Sequence, residues 1–199
     1  SDLWPFETQN IFFSRFNMLH ALLARNLAWH MLREGVIHGK SDFGICTPYA
    51  AQSRMIQKLL EGERLDGFVP VGTVHRYQGD ERRIMLLDIP ESHGGSWALG
   101  QFVQGLPPEQ VGARLINVAV SRAQEHLLVL ANLTYLDRRL PSTSLLRGIL
   151  YDMQEKGRVV PGRDVLRLRP IQSDLSGLIG QMPFDEVAES LGIFDEAQF

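Results

Sequence analysis

The chain has 199 residues, 44% hydrophobic and 22% charged, a balance ordinary for a globular protein and enough for one well-buried domain with an extension or two very small domains. Its formal net charge of -3 means that any nucleic-acid binding must be local rather than a property of the whole surface. No apolar run approaches the roughly 20 residues of a membrane-spanning helix, and the single cysteine, Cys46, excludes an internal disulfide and a thiolate zinc cluster.

The first residues, Ser1-Asp2-Leu3-Trp4-Pro5, form neither a basic nor an apolar leader, and no initiator Met precedes them. The expectation is a piece of a longer protein in a reducing, cytoplasmic setting, with Cys46 as a buried structural thiol. Phe16, Leu19, Leu23, Leu27 and Met31 recur every three or four residues, which predicts an amphipathic helix over 14–34, ended by Gly35 and Gly39. Residues 43–47 read as a short buried strand. Thr47-Pro48 then predicts a helix start, with Thr47 as the cap and Pro48 in the first turn. Ala51, Met55, Ile56, Leu59 and Leu60 would form the buried face of that helix.

Residues 68–74 and 84–89 are apolar and β-rich, and both predict strands. The segment 90–112 is crowded with Gly and Pro and predicts a long surface loop with one turn of helix at most. Residues 114–125 predict a helix and 126–131 a compact strand. Beyond Asn132 the pattern weakens, with a helix over 145–153, a strand or extended arm over 158–168, and a short helix over 184–191. Apolar strands alternating with amphipathic helices point to an α/β fold, a mostly parallel sheet with helices on both faces.

Two segments imitate phosphate chemistry. Gly39-Lys40-Ser41 resembles the end of a phosphate-binding loop, but only three residues separate Gly35 from Gly39 where four are needed. It also leads from a helix into a strand, the reverse of what places helix N-terminal amides at a phosphate. A plain turn is expected. Asp88, ending the apolar run 84–88, resembles a strand-end magnesium ligand. With no phosphate loop beside it, a polar strand end is expected. The six histidines show no ligand spacing with carboxylates, so no metal site is predicted.

Three further segments carry function. They are Gly44-Ile45-Cys46-Thr47-Pro48-Tyr49-Ala50-Ala51-Gln52, then Val71-Gly72-Thr73-Val74-His75-Arg76-Tyr77-Gln78-Gly79-Asp80-Glu81, then Arg114-Leu115-Ile116-Asn117-Val118-Ala119-Val120-Ser121-Arg122-Ala123. In order and approximate spacing they resemble motifs IV, V and VI of superfamily 1 helicases, in the branch of the nonsense-mediated-decay RNA helicase. The match covers roughly residues 14–135. It implies a RecA-like, P-loop-NTPase-type domain over 1–140, with 141–199 as an extension or linker.

The resemblance implies a role for each matching residue. Arg122 would be the arginine finger that neutralises charge on the phosphates of ATP. Tyr49, Gln52, Arg54, Gln78, Gly79, Glu81 and Arg114 would contact the nucleotide, with Glu81 at the ribose. Pro48, Thr73 and His75 would touch the nucleic-acid backbone. ATP and Mg²⁺ would be held mainly by a separate N-terminal RecA-like domain, with single-stranded DNA or RNA as the track and no membrane involved. The isolated chain would then be inactive.

Departures from the family pattern are also visible. Ala50 and Ala51 fill the middle of the first motif and Arg54 stands one place late. His75 occupies a position commonly acidic, and Leu115 replaces a second arginine. These leave two alternatives: a degenerate RecA-like module that binds or regulates without catalysis, and a P-loop ATPase that does not unwind.

Overall fold

The computed structural model describes residues 8–9, 14–77, 79–93, 99–104 and 111–168. Gln78 and the helix expected over 184–191 lie outside them.

Two short strands, β1 (Thr8–Gln9) and β2 (Arg15–Phe16), pair antiparallel ahead of helix α1 (Met18–Arg33). The helix starts four residues later than its apolar spacing predicts, because the Asn17 side chain accepts the His20 amide and caps it there. Gly35, at φ +70°, ends it as expected. The Gly39-Lys40-Ser41 segment is a turn, closed by the Asp42 amide donating to Gly39 O at 3.1 Å. The Asp42 carboxylate accepts the amides of His38 at 2.7 Å and Gly39 at 3.0 Å.

Strand β3 (Phe43–Thr47) leads into α2 (Ala50–Gly62). The expected cap is displaced here. Thr47 closes the strand, Pro48 lies between, and Tyr49 is the N-cap in an extended conformation with no side-chain cap bond. Proline holds the residue before it extended, so Thr47 stays in the strand, as its range predicted, and the helix begins later. The strand expected over 68–74 shortens to β4 (Val71–Thr73), since residues 65–69 are taken up in a turn in which Val69 donates to Leu65 O at 3.0 Å.

Strand β5 (Arg82–Ile89) follows, then one helical turn, α3 (Gln101–Gln104), inside the Gly/Pro-rich segment. Helix α4 (Val111–Val120) is shifted towards the N-terminus of the 114–125 prediction, and β6 (Ala123–Ala131) takes Gln124 and Glu125. Pairing with β5 claims that backbone, with Arg82 opposite Ala123. The chain continues through α5 (Leu133–Arg139), which the sequence did not signal, and α6 (Leu145–Lys156). The expected arm over 158–168 is instead α7 (Gly162–Arg167), with Asp164 in its first turn and Arg167 in its last, each suited to the helix dipole.

The four-stranded sheet has the order β4-β3-β5-β6 and is parallel throughout. Helices α1 and α2 cover one face, around Phe16, Phe43, Ile45, Met55, Ile56 and Leu60. Helices α3 to α6 cover the other, around Met85, Leu87, Phe102, Ile116, Leu136, Leu146 and Leu150. This is the α/β architecture expected from the alternating pattern, and it is consistent with the RecA-like fold that the resemblance implies. The expected boundary at residue 140 falls between α5 and α6, and the chain beyond it still packs on the same body. Leu146 and Leu150 complete the second core, while α7 lies on α1, with Asn26 Nδ2 donating to Leu166 O at 3.1 Å. Among the described residues no helix is long and apolar enough to cross a membrane.

Candidate functional site

Because all four strands run the same way, the motif residues sort by which end of the sheet they occupy. Pro48 and Tyr49 follow the carboxyl end of β3. Thr73 closes β4, and His75 lies exposed in the turn beyond it. Gly79 and Glu81 precede the amino end of β5, and Arg122 precedes that of β6. The chain between Thr73 and Arg82 therefore doubles back along the sheet. Tyr77 marks the return, its hydroxyl donating at 2.6 Å to the carbonyl of Pro70, which stands before β4. Burial pushes the Tyr77 phenol well above its ordinary range.

Gly79 has φ +83°, a conformation that β-carbon sterics disfavour, and no atom stands where a side chain would begin. Backbone conformation rather than crowding asks for glycine here. Next to it Asp80 binds the Arg82 guanidinium through both oxygens, a pairing that lowers the Asp80 pKa and raises that of Arg82.

The amino-end group brings two expected site residues together. Arg122 Nη1 lies 4.0 Å from Glu81 Oε1. Arg122 stands in the turn after α4 rather than on it, with Nε donating to Val118 O at 3.1 Å. Arg114 is exposed on the helix itself. The helix has ended before Arg122, so Arg122 and Arg114 do not share one helical face.

The carboxyl-end group is built differently. The Tyr49 hydroxyl donates to Glu91 Oε1, and the Arg15 guanidinium sits 5.9 Å from the Tyr49 ring centre. A Cβ on Gly100 would collide with that hydroxyl, so glycine makes the room Tyr49 occupies. Gln52, expected at the nucleotide, points into the interior instead. It is 0% exposed, donates from Nε2 to Asp88 Oδ2 at 2.6 Å and accepts the Asn17 amide at 2.7 Å. Amphipathicity explains this: Gln52 lies one turn from Met55 and Ile56 on the buried face of α2. Arg54 is half-buried on the same helix.

Asp88 stands one residue before the end of β5, the polar strand end expected, but it is 0% exposed, and Nδ1 of His20 lies 2.8 Å from its Oδ1. The sequence had not singled out His20. The available signal is its place with Asn17, Ala21, Ala24 and Ala28 on the α1 face that the structure buries. Cys46 is buried as expected, and burial, with the Asp88 charge adding to it, pushes its thiol up to about 12.

From Arg82 to Asp88 the strand rises roughly 20 Å. The residues that the resemblance assigns to ATP therefore fall into two groups, one towards each end of the sheet. The amino-end group has the chemistry of a partial nucleotide contact: a partly exposed guanidinium and a half-exposed carboxylate beside an open glycine turn. No three His, Cys, Asp or Glu side chains cluster as metal ligands among the described residues.

A family model described as an AAA domain matches residues 6–134. The DNA replication ATP-dependent helicase/nuclease DNA2 of Bos taurus is 34% identical over 109 residues, 55% of this chain and 9% of the relative. Its counterpart in Mus musculus is 32% identical over 105 residues, 53% of the chain and again 9% of the relative. The DNA polymerase alpha-associated DNA helicase A of Saccharomyces cerevisiae is 28% identical over 99 residues, 50% of the chain and 13% of the relative. The chain thus spans only a small part of the length of the curated relatives it matches.

Proposed function

The chain belongs to the AAA domain family and is a helicase-type domain of superfamily 1, and from that premise we propose that it is the closing half of an ATP-driven motor on nucleic acid. The observation that supports this most directly is the meeting of Arg122 and Glu81 at the amino end of the sheet, each one residue ahead of two adjacent paired strands.

In this reading a second RecA-like domain of the same protein holds ATP and Mg²⁺, and this domain closes over them. Bound ATP supplies the phosphoanhydride whose hydrolysis drives the motion. Arg122 presents a fixed positive charge to the phosphates, where charge builds up as the γ-phosphoryl group leaves. Glu81 accepts hydrogen bonds from the ribose. Arg114 and Gln78 belong to the same contact by resemblance. The carboxyl end, with Pro48, Thr73 and His75, faces the nucleic-acid backbone, and the names of the relatives favour DNA as the track. Such a protein works inside the cell.

In the full-length protein, Arg122→Ala should lower nucleic-acid-stimulated ATP turnover by about 10³ or more while leaving ATP binding within a few-fold. Unchanged turnover would remove Arg122 from this role. The 199-residue chain alone should show no Mg²⁺-dependent ATPase, and appreciable turnover by the pure chain would overturn the division of labour.

One observation favours the second reading, a binding module without catalysis. Tyr49 is engaged by Glu91 and Gln52 is engaged in the interior, so neither is presented to a nucleotide. Turnover by the full-length protein that depends on Arg122 decides against it.

A further inference from the structure

Arg122 is engaged by neighbours within its own domain. Its Nε donates to Val118 O at 3.1 Å and its Nη2 donates to Ser121 Oγ at 2.9 Å, so the guanidinium folds onto the last turn of α4. The third contact is with Glu81, at 4.0 Å. Glu81 is steadied from the other side by Gln124, whose Nε2 donates to Oε2 at 3.4 Å.

Backbone fixes both ends of the pair. Arg82 N donates to Arg122 O at 3.0 Å, and Arg82 pairs with Ala123 across β5 and β6. The side-chain contact itself is long, and Glu81 is 47% exposed. Water screens such a pair, so it orients a side chain yet breaks easily. A carboxylate at this range also offsets much of the field that the guanidinium would exert on a phosphate. The arginine has its full effect only when Glu81 is otherwise engaged.

We propose that Glu81 is a positioning residue for Arg122: it keeps the guanidinium retracted and masked until nucleotide arrives, and engaging the ribose hydroxyls releases the arginine to the phosphates. The exchange is of non-covalent contacts, and no bond forms or breaks in it. It rests on the motor reading above. It gives Glu81 a duty beyond holding ribose, since one carboxylate would report an occupied nucleotide site to the arginine.

The test has two arms. In the first, the 199-residue chain is labelled with phenylglyoxal and each arginine is followed by mass spectrometry, in wild type, Glu81→Gln and Glu81→Ala. Labelling of Arg122 should rise about three- to fivefold in both variants, the change expected from losing a screened pair. Arg147, paired with Asp137 at 2.8 Å, should not change. Equal labelling of Arg122 in all three proteins overturns the proposal.

In the second arm, the full-length Glu81→Gln protein should turn over ATP several-fold faster than wild type without nucleic acid, and Glu81→Gln with Arg122→Ala should abolish the gain. A raised KM for ATP with no gain in kcat makes Glu81 a ribose contact alone, and the proposal falls. If Arg122→Ala by itself leaves turnover intact, the motor reading fails, while the labelling arm still decides whether Glu81 restrains Arg122.

Discussion

Burying Asp88 beside His20 and Gln52 removes a carboxylate from water, and the contacts at 2.8 and 2.6 Å make that tolerable. Removing the carboxylate leaves the Gln52 amide without its short partner inside the fold. Asp88→Ala should therefore cost about 3 kcal/mol, measured by chemical denaturation, and retention of full stability would contradict the network. Asp42 allows a test by pH. The amides of His38 and Gly39 and the guanidinium of Arg83 lower its pKa, with the His38 amide contributing most. A lowered folded value means that ionised Asp42 contributes stability above the ordinary aspartate value of about 3.9. That contribution fades as pH falls through the folded value. Asp42→Asn should thus be less stable than wild type at neutral pH, and the gap should close in acid. A gap that persists when the carboxylate is protonated would assign it to the amide's geometry instead. The Asn17, His20 and Gln52 cluster was not legible beforehand, because a polar residue on an apolar face reads alike whether its partner is water or a buried carboxylate.

At the scale of elements, hydrophobic spacing revealed α1, β3, α2, β5, β6 and α6, since a buried face imposes its period on the sequence. Boundaries moved where a local bond competed with that period: Asn17 delayed α1, Pro48 delayed α2, and pairing with Arg82 drew Gln124 into β6. Helix α7 was legible only as a strand or arm, because six residues hold too few turns to display a period. Helix α6 belongs to the main body, as Leu146 and Leu150 are 1% and 6% exposed within the second core. Leu146→Ala should accordingly cost about 2–5 kcal/mol, the range for a cavity in a packed core. A loss well under about 1 kcal/mol, the scale of surface substitutions, would make α6 a peripheral appendage.

On the scale of the whole molecule, the proposed function assigns two activities to opposite ends of one sheet. Arg122 and Glu81 stand at the amino ends, while Pro48, Thr73 and His75 stand at the carboxyl ends, roughly 20 Å away. In the full-length protein, Thr73→Ala combined with His75→Ala should weaken single-stranded nucleic-acid binding several-fold and leave the KM for ATP nearly unchanged. Arg122→Ala should do the reverse, sparing nucleic-acid binding while turnover is lost. If both variants impair both activities equally at the binding step, the two ends do not divide the work. What the sequence by itself determined is the α/β alternation, the order of the three motifs, the turn at Gly39-Lys40-Ser41 and the burial of Cys46, all of which depend on neighbours close along the chain. Only the tertiary structure decided that Gln52 faces Asp88 and that Tyr49 is held by Glu91, and it alone set Glu81 against Arg122. Those contacts join residues 36 to 42 positions apart, and parallel strand register, which no local pattern encodes, is what brings them together.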